Sequence, residues 1–158
     1  MLIWALIALI PAYATTVIKA SLDDLIAKST SVVRGKVVGS YNTAQGRLVY
    51  TYYKVQVEQT LKGAPATQID VQVPGGSFHG VQQNIAGVPQ LSVGADYVLF
   101  LWMGPSKTTH LLGLSQGVLD ITTDSAGDVI VVRQASEALS VDSLRMKLSE
   151  LNSRVQTK

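Results

Sequence analysis

The chain contains no cysteine. That single absence removes disulfides, thiol nucleophiles, zinc–thiolate sites, iron–sulfur clusters and acylated-cysteine anchoring. Charge is sparse as well. Only 15% of the 158 residues are charged, thirteen basic against eleven acidic, for a net +2. Lysine and arginine form no run, so the footprint of a phosphate-backbone binder is missing and nucleic acid is not an expected partner. Histidine is limited to His79 and His110, with neither H-x-x-x-H nor H-x-H spacing. A metal site would need carboxylates such as Asp96 or Asp120 brought beside them by the fold. The plain reading is two surface loop histidines. No metal and no cofactor is expected. Internal repeats, low-complexity linkers and signs of a second domain are also lacking.

What is present points to β structure. Hydrophobic residues make up 47% of the chain, a balance that folds rather than stays disordered. A chain of this length forms one domain with a self-sufficient core. Frequent valine and thirteen glycines favour sheet over a helical bundle.

The first ten residues, Met1 to Ile10, are uninterrupted apolar, and Pro11-Ala12-Tyr13-Ala14 follows as a small-x-small site. Residues 1–14 read as a secretory signal peptide, with the mature chain starting at Thr15. No basic residue precedes Lys19, as a start codon placed too far downstream would produce. The alternative is a buried N-terminal strand or helix. Ten apolar residues fall short of the ~20 that span a bilayer, so no stable membrane span is expected after cleavage. The expected location is outside the cytoplasm, periplasmic or extracellular.

Along the mature chain, Ser21 and Asp24 have the spacing of a capping box for a short helix over about 21–28. Ser31 to Val38 reads as a strand, and Tyr41 to Gly46 as a polar hairpin loop. From Leu48 to Leu61 the pattern has period two. Val49, Thr51, Tyr53, Val55 and Val57 take one face; Tyr50, Tyr52, Lys54, Gln56 and Glu58 take the other. This predicts a long half-buried strand, which must coil as in a small barrel. Gln68 to Val73 alternates again, and Pro74-Gly75-Gly76 ends it. Gly75 to Pro89 reads as a long loop. Tyr97 to Met103 is continuously apolar, which suits a strand buried on both faces. Shorter strands are predicted at Leu111–Leu114, Val118–Thr122 and Val129–Arg133. A C-terminal helix over 140–151, capped by Ser140, is predicted from Val141, Leu144, Leu148 and Leu151 at helical spacing. The expected fold is mainly β: a coiled antiparallel OB-like barrel of five or six strands over 15–158, with a helix at each end.

Four segments carry a resemblance: Val32-Val33-Arg34-Gly35-Lys36-Val37, Tyr50-Thr51-Tyr52-Tyr53-Lys54-Val55, Leu61-Lys62-Gly63 and Gly94-Ala95-Asp96-Tyr97-Val98-Leu99-Phe100-Leu101. They resemble a group of secreted bacterial proteins of uncharacterised role. More distantly, they resemble the OB-fold of netrin-like modules and tissue inhibitors of metalloproteinases. The resemblance covers about Ser31 to Leu114 and implies the barrel. Those inhibitors chelate a protease zinc through an N-terminal cysteine clamped by disulfides. Here the expected first residue is Thr15 and no cysteine exists to hold it, so protease modulation is an alternative rather than the lead.

Gly113-Leu114-Ser115-Gln116-Gly117 matches G-x-S-x-G. The motif needs a strand-to-helix elbow with an acid and then a histidine later in the chain. Here a strand follows and both histidines precede, so a Gly-flanked turn is the plainer reading. Asp23-Asp24 is explained by the helix dipole, and Pro74-Gly75-Gly76 by a strand exit rather than an anion nest. The candidate ligand-binding residues are Tyr41, Tyr50, Tyr52 and Lys54 around the long strand, with Phe78 from the following loop. Exposed tyrosine is a rigid amphipathic anchor, and OB-folds bind ligands on this part of the barrel. The competing reading is ordinary cross-strand packing. The sequence leads to an exported, non-catalytic binding module whose partner is another exported protein or an envelope component. The alternatives are a modulator of a secreted protease and an unrecognised hydrolase.

A direct prediction concerns processing. N-terminal sequencing of exported protein should begin at Thr15, with intact mass lowered by residues 1–14. Export with Met1 retained would rule out the leader.

Overall fold

Residues 19–135 and 141–158 are described by a computed structural model. The leader expected over 1–14, the mature start at Thr15 and the capping Ser140 lie outside these residues. Helix α1, Leu22–Lys28, is set by its first turn. The Ser21 hydroxyl accepts from the Asp24 N–H at 3.0 Å, and the Asp24 carboxylate accepts from the Ser21 N–H at 3.2 Å. The box satisfies two backbone donors that a helix start leaves orphaned. Leu22, Leu25 and Ile26 form its buried face.

Two long strands follow, β1 (Ser31–Gln45) and β2 (Leu48–Lys62), then β3 (Gln68–Pro74). A small hairpin comes next, β4 (Gly76–Phe78) and β5 (Val81–Gln83). After a loop come β6 (Asp96–Met103), β7 (Thr109–Leu111), β8 (Val118–Thr123), β9 (Val129–Arg133) and β10 (Leu144–Lys147). Helix α2, Leu148–Gln156, ends the chain. The main sheet runs β1-β2-β3-β7-β6-β8-β9-β10, and β1 also pairs with β6. That extra pairing closes β1, β2, β3, β7 and β6 into a ring, the OB-like barrel expected from the pattern. Every pairing in the ring is antiparallel except β3 with β7, which is parallel.

Two cores share β6. Tyr97, Leu99 and Leu101 point into the barrel with Val33, Val37, Tyr53, Val55, Val71 and Val73. Val98 and Phe100 point the other way, into a second core with α1, α2, Val32, Leu61, Leu119 and Val131. Burial on both sides accounts for the unbroken apolar run. β7 and β8 lie along the same edge of β6, pairing with Leu101–Met103 and Tyr97–Leu99 respectively. Between them the chain makes a 3₁₀ turn, Leu114–Gly117. Gly117 is needed there, because a Cβ would sit 1.9 Å from the Leu112 carbonyl oxygen. Past the turn the strand leaves the barrel and pairs with β9. Buried polar groups brace the departure. The Arg133 guanidinium donates to the Gln116 carbonyl at 2.8 Å, and the Gln116 side chain accepts from the Ala20 N–H at 2.6 Å.

Three expectations are corrected. Tyr41 to Gly46 is not a loop: β1 continues to Gln45, and only Gly46 and Arg47 turn. Beyond Thr43 the two strands run past the last β2–β3 pair, Tyr50 with Pro74, as a short ribbon with a polar tip. Gly75 to Pro89 is not all loop: β4 and β5 form a hairpin across His79-Gly80. Both turn residues have positive φ, 48° and 81°, as a type I′ turn requires. The C-terminal helix does not span 140–151. Leu144–Lys147 is a strand on β9, with Leu144 and Met146 packed on the helix-side core, and the helix begins at Leu148. Leu148, Leu151 and Val155 form its buried face; the spacing of Leu144 to Leu148 fits a helix but crosses a boundary. Among the described residues no helix is long and apolar enough to cross a membrane.

Because β6 belongs to both cores, truncation on either face should be costly. Phe100→Ala should lower the unfolding free energy by about 3–5 kcal/mol and Leu99→Ala by about 2–5. Urea unfolding checks both. A small loss at either position would show that its side of β6 is loosely packed.

Candidate functional site

The barrel wall alternates inward and outward side chains, so one transverse row can be read from register alone. Tyr41 is the partner of Tyr52, Tyr52 of Gln72, Gln72 of His110, and His110 of Trp102. All five alternate with inward residues of their strands. The row therefore lies on the outside of the barrel and takes one residue from each of its five strands.

Side chains touch at both ends of the row. The Tyr41 and Tyr52 rings stack with centroids 5.0 Å apart and planes 7° from parallel. The Tyr52 hydroxyl accepts from the Gln72 amide at 2.6 Å and from the Gln45 amide at 3.3 Å. The Tyr41 hydroxyl donates to the Asp70 carboxylate at 3.0 Å. The Lys54 ammonium sits 5.6 Å from the Tyr41 ring centre, within cation–π range. At the far end the Trp102 and His110 rings lie 5.6 Å apart, and Trp102 is 41% exposed. Gln72, 5% exposed, is the buried link between the aromatic ends.

Four of the five candidate residues thus share a face. Tyr41 touches both Tyr52 and Lys54, and Tyr50 lies on the same side, paired with Thr43 and Pro74. Phe78 does not join them. The hairpin that carries it lies against Asn42 and Thr51, on the inward side of the sheet, and its ring stacks on His79 at 4.1 Å. Trp102 and His110 were outside the candidate set, and His110 is a strand residue rather than a loop residue. Among the described residues no three His, Asp or Glu side chains converge as a metal site. The G-x-S-x-G serine has a structural partner: Ser115 donates its hydroxyl and its N–H to the Gly87 carbonyl, at 2.7 and 3.1 Å. Neither histidine hydrogen-bonds to it among the described residues.

The Tyr41 phenol is held above the ordinary tyrosine range, first by desolvation and then by the Asp70 carboxylate that accepts its proton. An acid with a raised folded pKa binds its proton more tightly folded than unfolded. Its contribution to stability is complete below the ordinary tyrosine range and is lost as pH rises through the Tyr41 titration. Alkaline difference spectra should show the Tyr41 phenol ionising late, and Asp70→Asn should move it down. Tyr52→Phe should destabilise by about 1–3 kcal/mol, since it orphans the buried Gln72 amide, whereas Tyr41→Phe should fall within about 0.5 kcal/mol of wild type. Equal effects would place the two hydroxyls in equivalent surroundings.

The sequence matches no protein-family model and no curated protein.

Proposed function

We propose that the chain is an exported, non-catalytic binding module that docks another exported protein or an envelope component on the transverse row of its barrel. The observation behind this reading is the register itself. Five partnered strands each contribute one outward side chain, and these form a line of aromatic, amide and imidazole groups. Tyrosine and tryptophan give large contact area with little side-chain entropy to lose, and such residues concentrate binding energy. Lys54 and Asp70 supply a mixed-charge border of the kind found at interface rims. The anchors stand on strands rather than loops, which holds their geometry. The hydroxyl of Ser115, donated to a backbone carbonyl, weighs against a hydrolase.

The test is capture. The immobilised chain is exposed to the periplasmic and secreted proteins of its source, beside a Tyr52→Ala/Trp102→Ala variant of confirmed fold. A partner held by the wild type should be lost from the variant. Retention by both forms would move the binding surface elsewhere. Capture by neither would remove the protein-docking reading.

A further inference from the structure

A second feature lies on the inward side of the same strands. At the mouth of the barrel, where β1 and β2 pass beneath the β4–β5 hairpin, is a cleft of 360 Å³. That is within the range of small-molecule sites, about 300–1,000 Å³. Tyr53, Val73 and Leu91 form its buried floor. The hairpin and the loop 84–91 form its walls.

The walls are pinned by side-chain bonds to backbone. The Gln83 amide donates to the Arg47 carbonyl at 2.6 Å and accepts from the Val49 N–H at 2.7 Å. Asn42 donates to the Ser77 carbonyl at 2.7 Å. On the loop, the Leu91 N–H donates to the Tyr53 hydroxyl at 3.3 Å, and Ser115 holds Gly87. The cavity is therefore shaped in advance, which lowers the ordering cost of binding.

Its chemistry is selective. Every lining residue is uncharged. A charged ligand would meet no counter-charge there. Yet polar groups are plentiful. The side chains of Ser40, Gln82, Asn84 and Gln90 are exposed along the cleft's rim and make no hydrogen bond to protein among the described residues. Each amide offers donors and an acceptor together, and each hydroxyl does the same. A ligand that matches them must donate and accept at closely spaced positions while carrying no charge. It must also have an apolar face for Val73 and Leu91. Sugars with vicinal hydroxyls and C–H faces meet all these terms.

We propose that the barrel-mouth cleft is a binding site for a neutral sugar, separate from the outer row. The test uses the full chain labelled with ¹⁵N and titrated with cellobiose, maltose and N,N′-diacetylchitobiose. Glucuronate and glucosamine serve as charged controls. One neutral disaccharide should shift the side-chain amide signals of Gln82, Asn84 and Gln90 and leave those of Gln45 and Gln72 on the outer face unmoved. Asn84→Ala/Gln90→Ala should weaken that binding by about tenfold or more, as loss of two ligand hydrogen bonds implies, with thermal unfolding unchanged. No shift at millimolar neutral sugar, an equal response to the charged sugars, or shifts confined to the outer-face amides would each overturn the proposal. So would undiminished binding by the double variant.

Discussion

The structure is organised around the burial of both faces of β6. From Tyr97 to Leu101 every side chain is buried, alternately in the barrel and under the helices. Each such burial is worth roughly 1.5–3 kcal/mol, so five consecutive residues tie both cores to one strand. Its edges are used as fully as its faces. β1 holds one along Ser31–Lys36, and β7 and β8 divide the other. The ring, the departing sheet and the helix-side core are all placed by what this strand requires on its four sides.

That arrangement explains what could be read in the sequence. The alternation from Leu48 to Leu61 reports a strand with one wet face, and it correctly placed Tyr50, Tyr52 and Lys54 outward. The run from Tyr97 to Met103 reports double-sided burial, but the same run conceals Trp102, because an apolar stretch does not show where its outward positions become exposed. Tyr41 is a candidate by its place beside the hairpin, but the face it takes is hidden for a different reason. Val37 points inward and pairs with Val55, yet Gly39 pairs with Lys54, because a bulge intervenes at Val38. Period-two counting that takes no account of the bulge puts Tyr41 on the side of Val37. His110 becomes visible only when the parallel pairing with Gln72 is known, and long-range pairing leaves no local pattern. The type I′ turn at His79-Gly80 left a weak sign in its glycine, since histidine in the left-handed region is uncommon.

The row and the cleft are two products of one alternation. On β2, Tyr52 turns out to the row while Thr51 and Tyr53 turn in to the cleft. On β1, Tyr41 and Ser40 divide in the same way. The outer surface is mixed in charge and aromatic. The inner one is uncharged and rich in amides. A single pair of strands thus presents two chemistries back to back, and the serine of the G-x-S-x-G segment serves the inner one by fixing its loop.

The parallel contact of β3 with β7 spans only Val71–Gln72 and Thr109–His110, because the chain departs at the 3₁₀ turn directly afterwards. The barrel is in effect a rolled sheet held by a short clasp. The β1–β2 hairpin joins residues close in sequence and can form early, whereas the clasp joins segments separated by the whole mouth loop and β6. Closure of the cylinder thus rests on two residue pairs at this seam, against the six that join β1 to β6.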